Sequence, residues 1–63
     1  MQDKKLTAEM AGIIKLARRQ RYNYSVIASY LVINQGRIAD VRKGRRFPEV
    51  PTADSLPPDF PTT

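Results

Sequence analysis

The five prolines of this chain all lie within residues 47–63, in the stretch FPEVPTADSLPPDFPTT. Because proline has no backbone N–H and a fixed φ, a segment with this density can form neither a helix nor a central strand. We therefore expect a folded domain at residues 1–46, followed by an extended, proline-rich acidic tail at residues 47–63. Two interpretations of the tail stay open: a disordered appendix, or an arm that lays its apolar residues on the same domain or on a second subunit.

The length of 63 residues allows one domain with a small core. A core of this size supplies only about 3–5 kcal/mol of stability unless something else supports the fold. The chain has no cysteine and no histidine, which excludes disulfides and the usual zinc ligands. We expect no metal and no cofactor, and we expect a homodimer as the most direct source of additional stability.

Charge is divided unevenly along the chain. Residues 1–47 hold all eleven lysines and arginines and three acids, a net charge of +8, whereas residues 48–63 hold three acids and no cation. A basic domain favours a polyanionic partner, with nucleic acid ahead of an anionic membrane surface. No apolar run approaches the roughly 20 residues that span a bilayer, and the N-terminus lacks the apolar stretch of a signal peptide. We expect no membrane association and a cytoplasmic, nucleoid-associated protein.

The first predicted helix begins after Thr7, a good N-cap, and carries Glu9 in its first turn, where a negative charge suits the helix dipole. Arginines gather near its C-terminal end, at residues 18–21, either as solvated partners of the dipole or as phosphate ligands. Gly12 lowers helix stability by about 1 kcal/mol relative to alanine, and close packing against a neighbour would be one reason for it. The apolar residues that recur with the helical period are Leu6, Met10, Ile13, Ile14 and Ala17.

Two shorter helices are predicted to follow. Asn23 suits a turn or an N-cap before a helix at residues 24–31, and Asn34 suits the N-cap of a third helix that ends at Gly44. Because several residues within 26–33 are poor helix formers, a β-strand there is the competing interpretation. The predicted fold class is all-α, and the second and third helices are expected to bury Ile27, Ala28, Leu31, Ile38 and Val41.

Two short helices joined by a tight turn, the second rich in amides and cations, form a helix-turn-helix pattern. The small Ala28 lies where the two helices would cross most closely. The stretch NYSVIASYLVINQGRIADVRKGRR resembles the helix-turn-helix of resolvase-like and sigma-region-4-like DNA-binding domains, in particular small bacterial and phage regulators whose motif ends in an NQGRI…V.KG.R pattern. The resemblance covers 24 of the 63 residues. It implies a sequence-specific protein that binds double-stranded DNA and regulates transcription.

One position departs from this family. Its motifs usually have glycine in the turn, often in a left-handed conformation, where this chain has Val32. That conformation is costly for a β-branched residue. We therefore expect either a different turn geometry, or a second helix that continues so that the turn is displaced towards residues 33–34.

The third helix supplies the candidate base contacts. An α-helix fits the major groove, where amides can bond adenine and arginine can bond guanine in bidentate fashion. Gln35 and Arg37 are the first choices, while Asn34 either contacts a base or serves only as the N-cap. Gly36 either lets the helix approach the DNA closely or is a neutral surface glycine. Asp40 either accepts from a cytosine amine or, as we prefer, orients Arg37 one turn away.

Cations at the end of the same helix are the candidate backbone contacts. Phosphate contacts of this kind add affinity with little sequence information. The hydroxyl of Tyr24 could donate to a phosphate, or its ring could instead pack on the core. The remaining members of the expected set are Arg42, Lys43, Arg45 and Arg46.

Two other functions are compatible with the sequence. The first is a protein-interaction module, in which the basic helices bind an acidic partner such as a component of the transcription machinery, or the tail occupies a partner's groove. The second is RNA binding, which usually relies on stacking surfaces that this pattern lacks. An enzyme is not expected, because the carboxylates are scattered, no glycine-rich phosphate loop is present, and the serines have no imidazole base.

Overall fold

The computed structural model describes residues 5–61 and contains three α-helices: α1 (Ala8–Arg19), α2 (Tyr24–Leu31) and α3 (Gln35–Arg42). The first four residues of the predicted domain and the last two of the predicted tail lie outside the described residues. No strand occurs between residues 5 and 61, so the interpretation of a β-strand at residues 26–33 is wrong. Every pair of helices is in contact. No helix in this range is long and apolar enough to cross a membrane.

Polar residues with extended backbone precede all three helices, as predicted. The hydroxyl of Thr7 accepts a hydrogen bond from the backbone N–H of Met10 at 3.2 Å, which caps α1. The side-chain carbonyl of Asn34 accepts from the backbone N–H of Gly36 at 2.7 Å, which caps α3. Asn23 occupies the cap position of α2 without a side-chain bond. The start of each helix is therefore set locally by a residue whose side chain or backbone suits an N-cap.

Each helix ends on a residue in the left-handed conformation: Arg21 (φ 69°) after α1, Val32 (φ 58°) after α2 and Gly44 (φ 77°) after α3. In all three cases the next backbone N–H bonds to the carbonyl five residues earlier, which is the bond that defines the Schellman motif. These bonds run from Tyr22 to Ala17 (3.0 Å), from Ile33 to Ala28 (3.0 Å) and from Arg45 to Asp40 (2.9 Å).

The conformation of Val32 contradicts both expectations for the turn between α2 and α3. Helix α2 stops at Leu31, and Val32 itself adopts the left-handed conformation that glycine usually provides, with φ 58° and ψ 52°. This conformation costs a residue with a Cβ roughly 1–2 kcal/mol. Two interactions offset the cost: the backbone N–H groups of Val32 and Ile33 both bond to the carbonyl of Ala28, and Ile33 is buried in the core.

The core is built from the predicted apolar faces of the three helices together with one residue of the tail. Met10, predicted to lie on the buried face of α1, is only half-buried, whereas Leu16 is buried without having been predicted. No buried polar or charged residue interrupts the core within the described part of the chain. The main cluster consists of Leu6, Ala11, Ile13, Ile14, Ala17, Ile27, Ala28, Leu31, Ile33, Ile38, Val41 and Phe60.

The tail crosses α1 at Gly12. The backbone N–H of Ala53 donates to the carbonyl of Gly12 at 3.1 Å. A Cβ placed on Gly12 would lie 3.2 Å from the backbone carbonyl oxygen of Pro51, tighter than an ordinary contact. The close packing that Gly12 was expected to permit is therefore made with the tail.

Polar contacts and one aromatic side chain hold the rest of the tail on the helices. The ammonium of Lys15 in α1 donates to the backbone carbonyls of Phe47, at 3.0 Å, and Val50. Phe60 is buried, with its ring centroid 5.0 Å from that of Tyr22 and 4.7 Å from that of Tyr30. Residues 47–60 thus pack against the same domain, instead of extending from it without contacts.

Candidate nucleic-acid interface

The four consecutive residues predicted to begin the reading surface lie together at the N-terminal end of α3. Asn34, Gln35 and Gly36 are exposed, and Arg37 is half-buried. The side chains of Gln35 and Arg37 form no hydrogen bond or ion pair with any other residue in the range 5–61. Their donors and acceptors are therefore free to bond to a ligand that approaches this end of the helix.

The cap at the start of α3 limits what Asn34 can do. Bidentate recognition of adenine uses both the carbonyl and the amine of an amide side chain. The carbonyl of Asn34 already accepts from Gly36, so such a contact would compete with the cap. A Cβ on Gly36 would lie 3.2 Å from the same carbonyl oxygen, which gives this glycine a role in accommodating the cap.

Asp40 does not orient Arg37 as expected. Its carboxylate is 3.8 Å from the guanidinium of Arg45 and 3.9 Å from that of Arg46. The physical reason is the left-handed turn at Gly44, which folds the chain back so that the N–H of Arg45 bonds to the carbonyl of Asp40. The two arginines beyond α3 are thereby held beside its exposed surface, and their pairs with Asp40 are largely open to solvent.

Tyr24 and Arg42, both predicted to contact the DNA backbone, lie side by side although 18 residues separate them in the sequence. The guanidinium of Arg42 donates to the hydroxyl of Tyr24 at 3.1 Å. This hydrogen bond lowers the pKa of Tyr24 below its ordinary value of 10.0, against a smaller opposing effect of burial. The packing of α2 on α3 is what brings the two side chains together.

Cations dominate the surface at the C-terminal end of α3. Arg42, Lys43, Arg45 and Arg46 are all exposed. Only Asp40 offers them a carboxylate within ion-pair distance among the described residues, and it reaches only the last two. This concentration of charge suits an anionic ligand such as a phosphate backbone.

Arg18 also lies in this region, and the sequence did not decide whether it is a solvated partner of the helix dipole or a phosphate ligand. Its guanidinium carbon lies 4.8 Å from the ring centroid of Tyr24, which is within the range of a cation–π interaction. One of its terminal nitrogens donates to the backbone carbonyl of Tyr22 at 2.6 Å. The crowding of arginines near the end of α1 was the signal in the sequence, but it did not distinguish Arg18 from its neighbours.

No group of three or more acidic residues, histidines or cysteines able to hold a metal ion occurs between residues 5 and 61.

Comparison of the chain with protein-family models, curated proteins and solved structures found no significant match.

Proposed function

We propose that this chain is a sequence-specific protein that binds double-stranded DNA, a small transcriptional regulator of the bacterial or phage type. In this proposal α2 and α3 form a helix-turn-helix and α3 enters the major groove. The observation that carries the proposal is the division of α3 into two ends. The first turn presents the amide of Gln35 and the guanidinium of Arg37, which have no partner among residues 5–61, and the last turn leads into four exposed cations.

The dimensions of α3 support this assignment. Its eight residues span about 12 Å, since each residue of an α-helix adds 1.5 Å. The major groove is itself about 12 Å wide, so a helix of this length can bring its first turn to the base edges. The cations that follow then lie near the phosphates at the rim, where they add affinity without reading sequence.

The capped start of α3 supports a further distinction among the reading residues. With the carbonyl of Asn34 used in the cap, base recognition falls mainly to Gln35 and Arg37. Gln35 has the groups to bond adenine, and Arg37 has the groups to bond guanine. Asn34, Gly36 and Asp40 act mainly by shaping this end and the following turn, through the cap and the pairs with Arg45 and Arg46.

We further propose that the protein acts as a homodimer on nucleoid DNA in the cytoplasm. Two copies of α3 would then lie about 34 Å apart and read a palindromic site. The experiment that tests the function is selection from random duplex DNA by the purified protein at physiological salt, followed by sequencing. We expect a palindromic consensus, and recovery of no consensus would contradict the proposal.

Two variants sharpen the same selection. Arg37→Ala should relax the preference at one base pair of each half-site, with a loss of about 1–3 kcal/mol of discrimination there. Lys43→Gln removes one charge from the phosphate-contacting group and should weaken binding to all sequences without changing the consensus. If Arg37→Ala left the consensus unchanged, α3 would not be the reading helix, and a basic surface for an acidic protein partner would become the better explanation.

A further inference from the structure

We propose that a cleft between α1, α3 and the tail binds a phosphate of the same DNA backbone, with Arg18 as a direct ligand. This inference rests on the proposed function and extends the interface beyond α2 and α3. We call the site the α1–α3 cleft. It is lined by Lys15, Arg18, Arg19, Val41, Arg42 and Thr52.

The charge of the α1–α3 cleft fits a phosphate. Four of its six lining residues are cations, one is a threonine with a hydroxyl, and no carboxylate is among them. A phosphodiester offers only hydrogen-bond acceptors, and these side chains offer mainly donors. A guanidinium can also match two phosphate oxygens at once, which a single ammonium cannot do.

Arg18 is held in place before any ligand arrives. Its bond to the carbonyl of Tyr22 and its cation–π contact with the ring of Tyr24 restrict the position of the guanidinium. The Nε atom is buried and has no hydrogen-bond partner among residues 5–61. The second terminal nitrogen, Nη2, neither bonds to Tyr22 nor belongs to the buried atoms without a partner in that range, so it is the donor that an incoming phosphate oxygen can reach.

The α1–α3 cleft is connected to the reading end of α3 through Arg42. This residue lines the cleft and also donates to the hydroxyl of Tyr24, the ring on which Arg18 lies. Arg42 follows Arg37 by five residues, about 7.5 Å along the helix axis. That separation is less than the width of the major groove, so a base contact at Arg37 and a phosphate in the cleft are compatible on one duplex.

The tail contributes to the site. Lys15 uses its ammonium to hold the carbonyls of Phe47 and Val50, and this fixes the segment that carries Thr52 to the cleft. Docking of the tail and completion of the phosphate site are therefore coupled. The acidic residues of the tail do not line the cleft, so the docked tail contributes Thr52 there without adding a carboxylate.

The test is the salt dependence of the affinity of the full chain for its selected DNA site. Each phosphate contact contributes about 0.9 to the slope of log affinity against log salt concentration. Arg18→Gln should lower the slope by about one and leave the consensus unchanged, whereas Lys5→Gln, which removes an equal charge outside the cleft, should leave the slope nearly unchanged. Arg19→Gln provides a second variant at an exposed cleft position in case Arg18→Gln fails to fold.

Nuclear magnetic resonance separates the possible sources of the phosphate. Titration of the DNA-free, isotope-labelled chain with inorganic phosphate should shift the Arg18 guanidinium and Thr52 amide signals, and the Thr52 shift should be absent in Arg18→Gln. Unchanged salt slopes in both cleft variants would overturn the inference while the reading by Arg37 stands. If the wild-type chain bound inorganic phosphate but no DNA, both the proposed function and the DNA origin of the phosphate would be wrong.

Discussion

The face of the molecule under the tail and the face formed by α3 use their polar groups in opposite ways. Under the tail, the ammonium of Lys15 donates to the backbone carbonyl of Phe47 at 3.0 Å. The hydroxyl of Tyr30 donates to the carboxylate of Asp59 at 2.6 Å. At α3 and the turn after it, the side chains of Gln35, Arg37 and Lys43 form no hydrogen bond or ion pair among residues 5–61. The side chains that hold the tail therefore belong to α1 and α2, whereas those left without a partner at the start of α3 belong to a different helix.

Among the changes to the side of the domain under the tail, Phe60→Ala should lower the free energy of unfolding most. Removing a buried phenylalanine typically costs about 3–5 kcal/mol, which is as much as a domain of this size is expected to have. We expect the variant to be largely unfolded at 25 °C, as measured by circular dichroism and urea denaturation. The matched variant Phe47→Ala truncates a half-buried tail phenylalanine and should cost clearly less. Equal losses for the two would show that Phe60 is not part of the core.

A smaller disruption of the same face is expected from Gly12→Val. Its Cβ would lie 3.2 Å from the backbone oxygen of Pro51, and the two methyl groups would force the tail to move. Overpacking of this kind costs about 1–3 kcal/mol in the free energy of unfolding, measurable by denaturant titration. Ala8→Val, at an exposed position of the same helix, should cost less than about 1 kcal/mol. The tail contact at Gly12 is contradicted if the two variants are equally stable.

Val32 lies in the turn that leads from α2 into α3, and its replacement by glycine should not destabilise the protein. Val32→Gly relieves roughly 1–2 kcal/mol of left-handed strain and loses about 0.4–1 kcal/mol to the greater freedom of the unfolded chain. We expect a neutral or slightly stabilised protein by thermal denaturation. Val26→Gly, inside α2, has no strain to relieve and should destabilise by about 1 kcal/mol. A comparable loss at both positions would mean that Val32 is not strained.

The smallest expected effect is on the pKa values of two tyrosines, Tyr30 beside the tail and Tyr24 beside α3, which alkaline titration can measure. The hydrogen bond to Asp59 raises the pKa of Tyr30 above 10.0, whereas the bond from Arg42 lowers the pKa of Tyr24. The stability that Tyr30 contributes is therefore lost as the pH rises through its elevated pKa. For Tyr24 the sign is opposite, since its deprotonation favours the folded state.

Ultraviolet absorbance of the phenolate, followed in the folded chain, measures this order directly. Tyr24→Phe should remove the earlier of these two ionisations, and Tyr30→Phe should remove the later one. The reverse order would show that the bonds to Arg42 and Asp59 do not persist in solution.

The helices were predictable because their limits are set by neighbours in the sequence. Thr7 and Asn34 cap the helices that follow them, and Gly44 takes the left-handed conformation after α3, all as expected. The turn at Val32 was not predictable by the same rules. Its conformation is stabilised by the burial of Ile33, which is a tertiary interaction and outweighs the local preference of valine.

The candidate site divides in a similar way. Gln35 and Arg37 lie near each other because they share one helical turn. Tyr24 and Arg42 were each predicted to contact the DNA backbone, but their mutual hydrogen bond was not predicted and depends on the packing of α2 on α3. The pairing of Asp40 with Arg45 depends on how the chain folds back after α3, and the setting of Arg18 depends on ring positions in another helix. Neither feature has a periodic signature in the sequence, so neither could be predicted from it.

The contacts of the tail also have a consequence for the order of folding. The helices are joined by short connections, but the bond from Lys15 to the carbonyl of Val50 spans 35 residues and that from Tyr30 to Asp59 spans 29. Closing longer loops carries a greater entropic penalty, and contacts between distant residues slow folding. Contacts among the three helices should therefore form before the contacts made by the tail. The cooperative, fully protected state should appear only when the tail closes over α1.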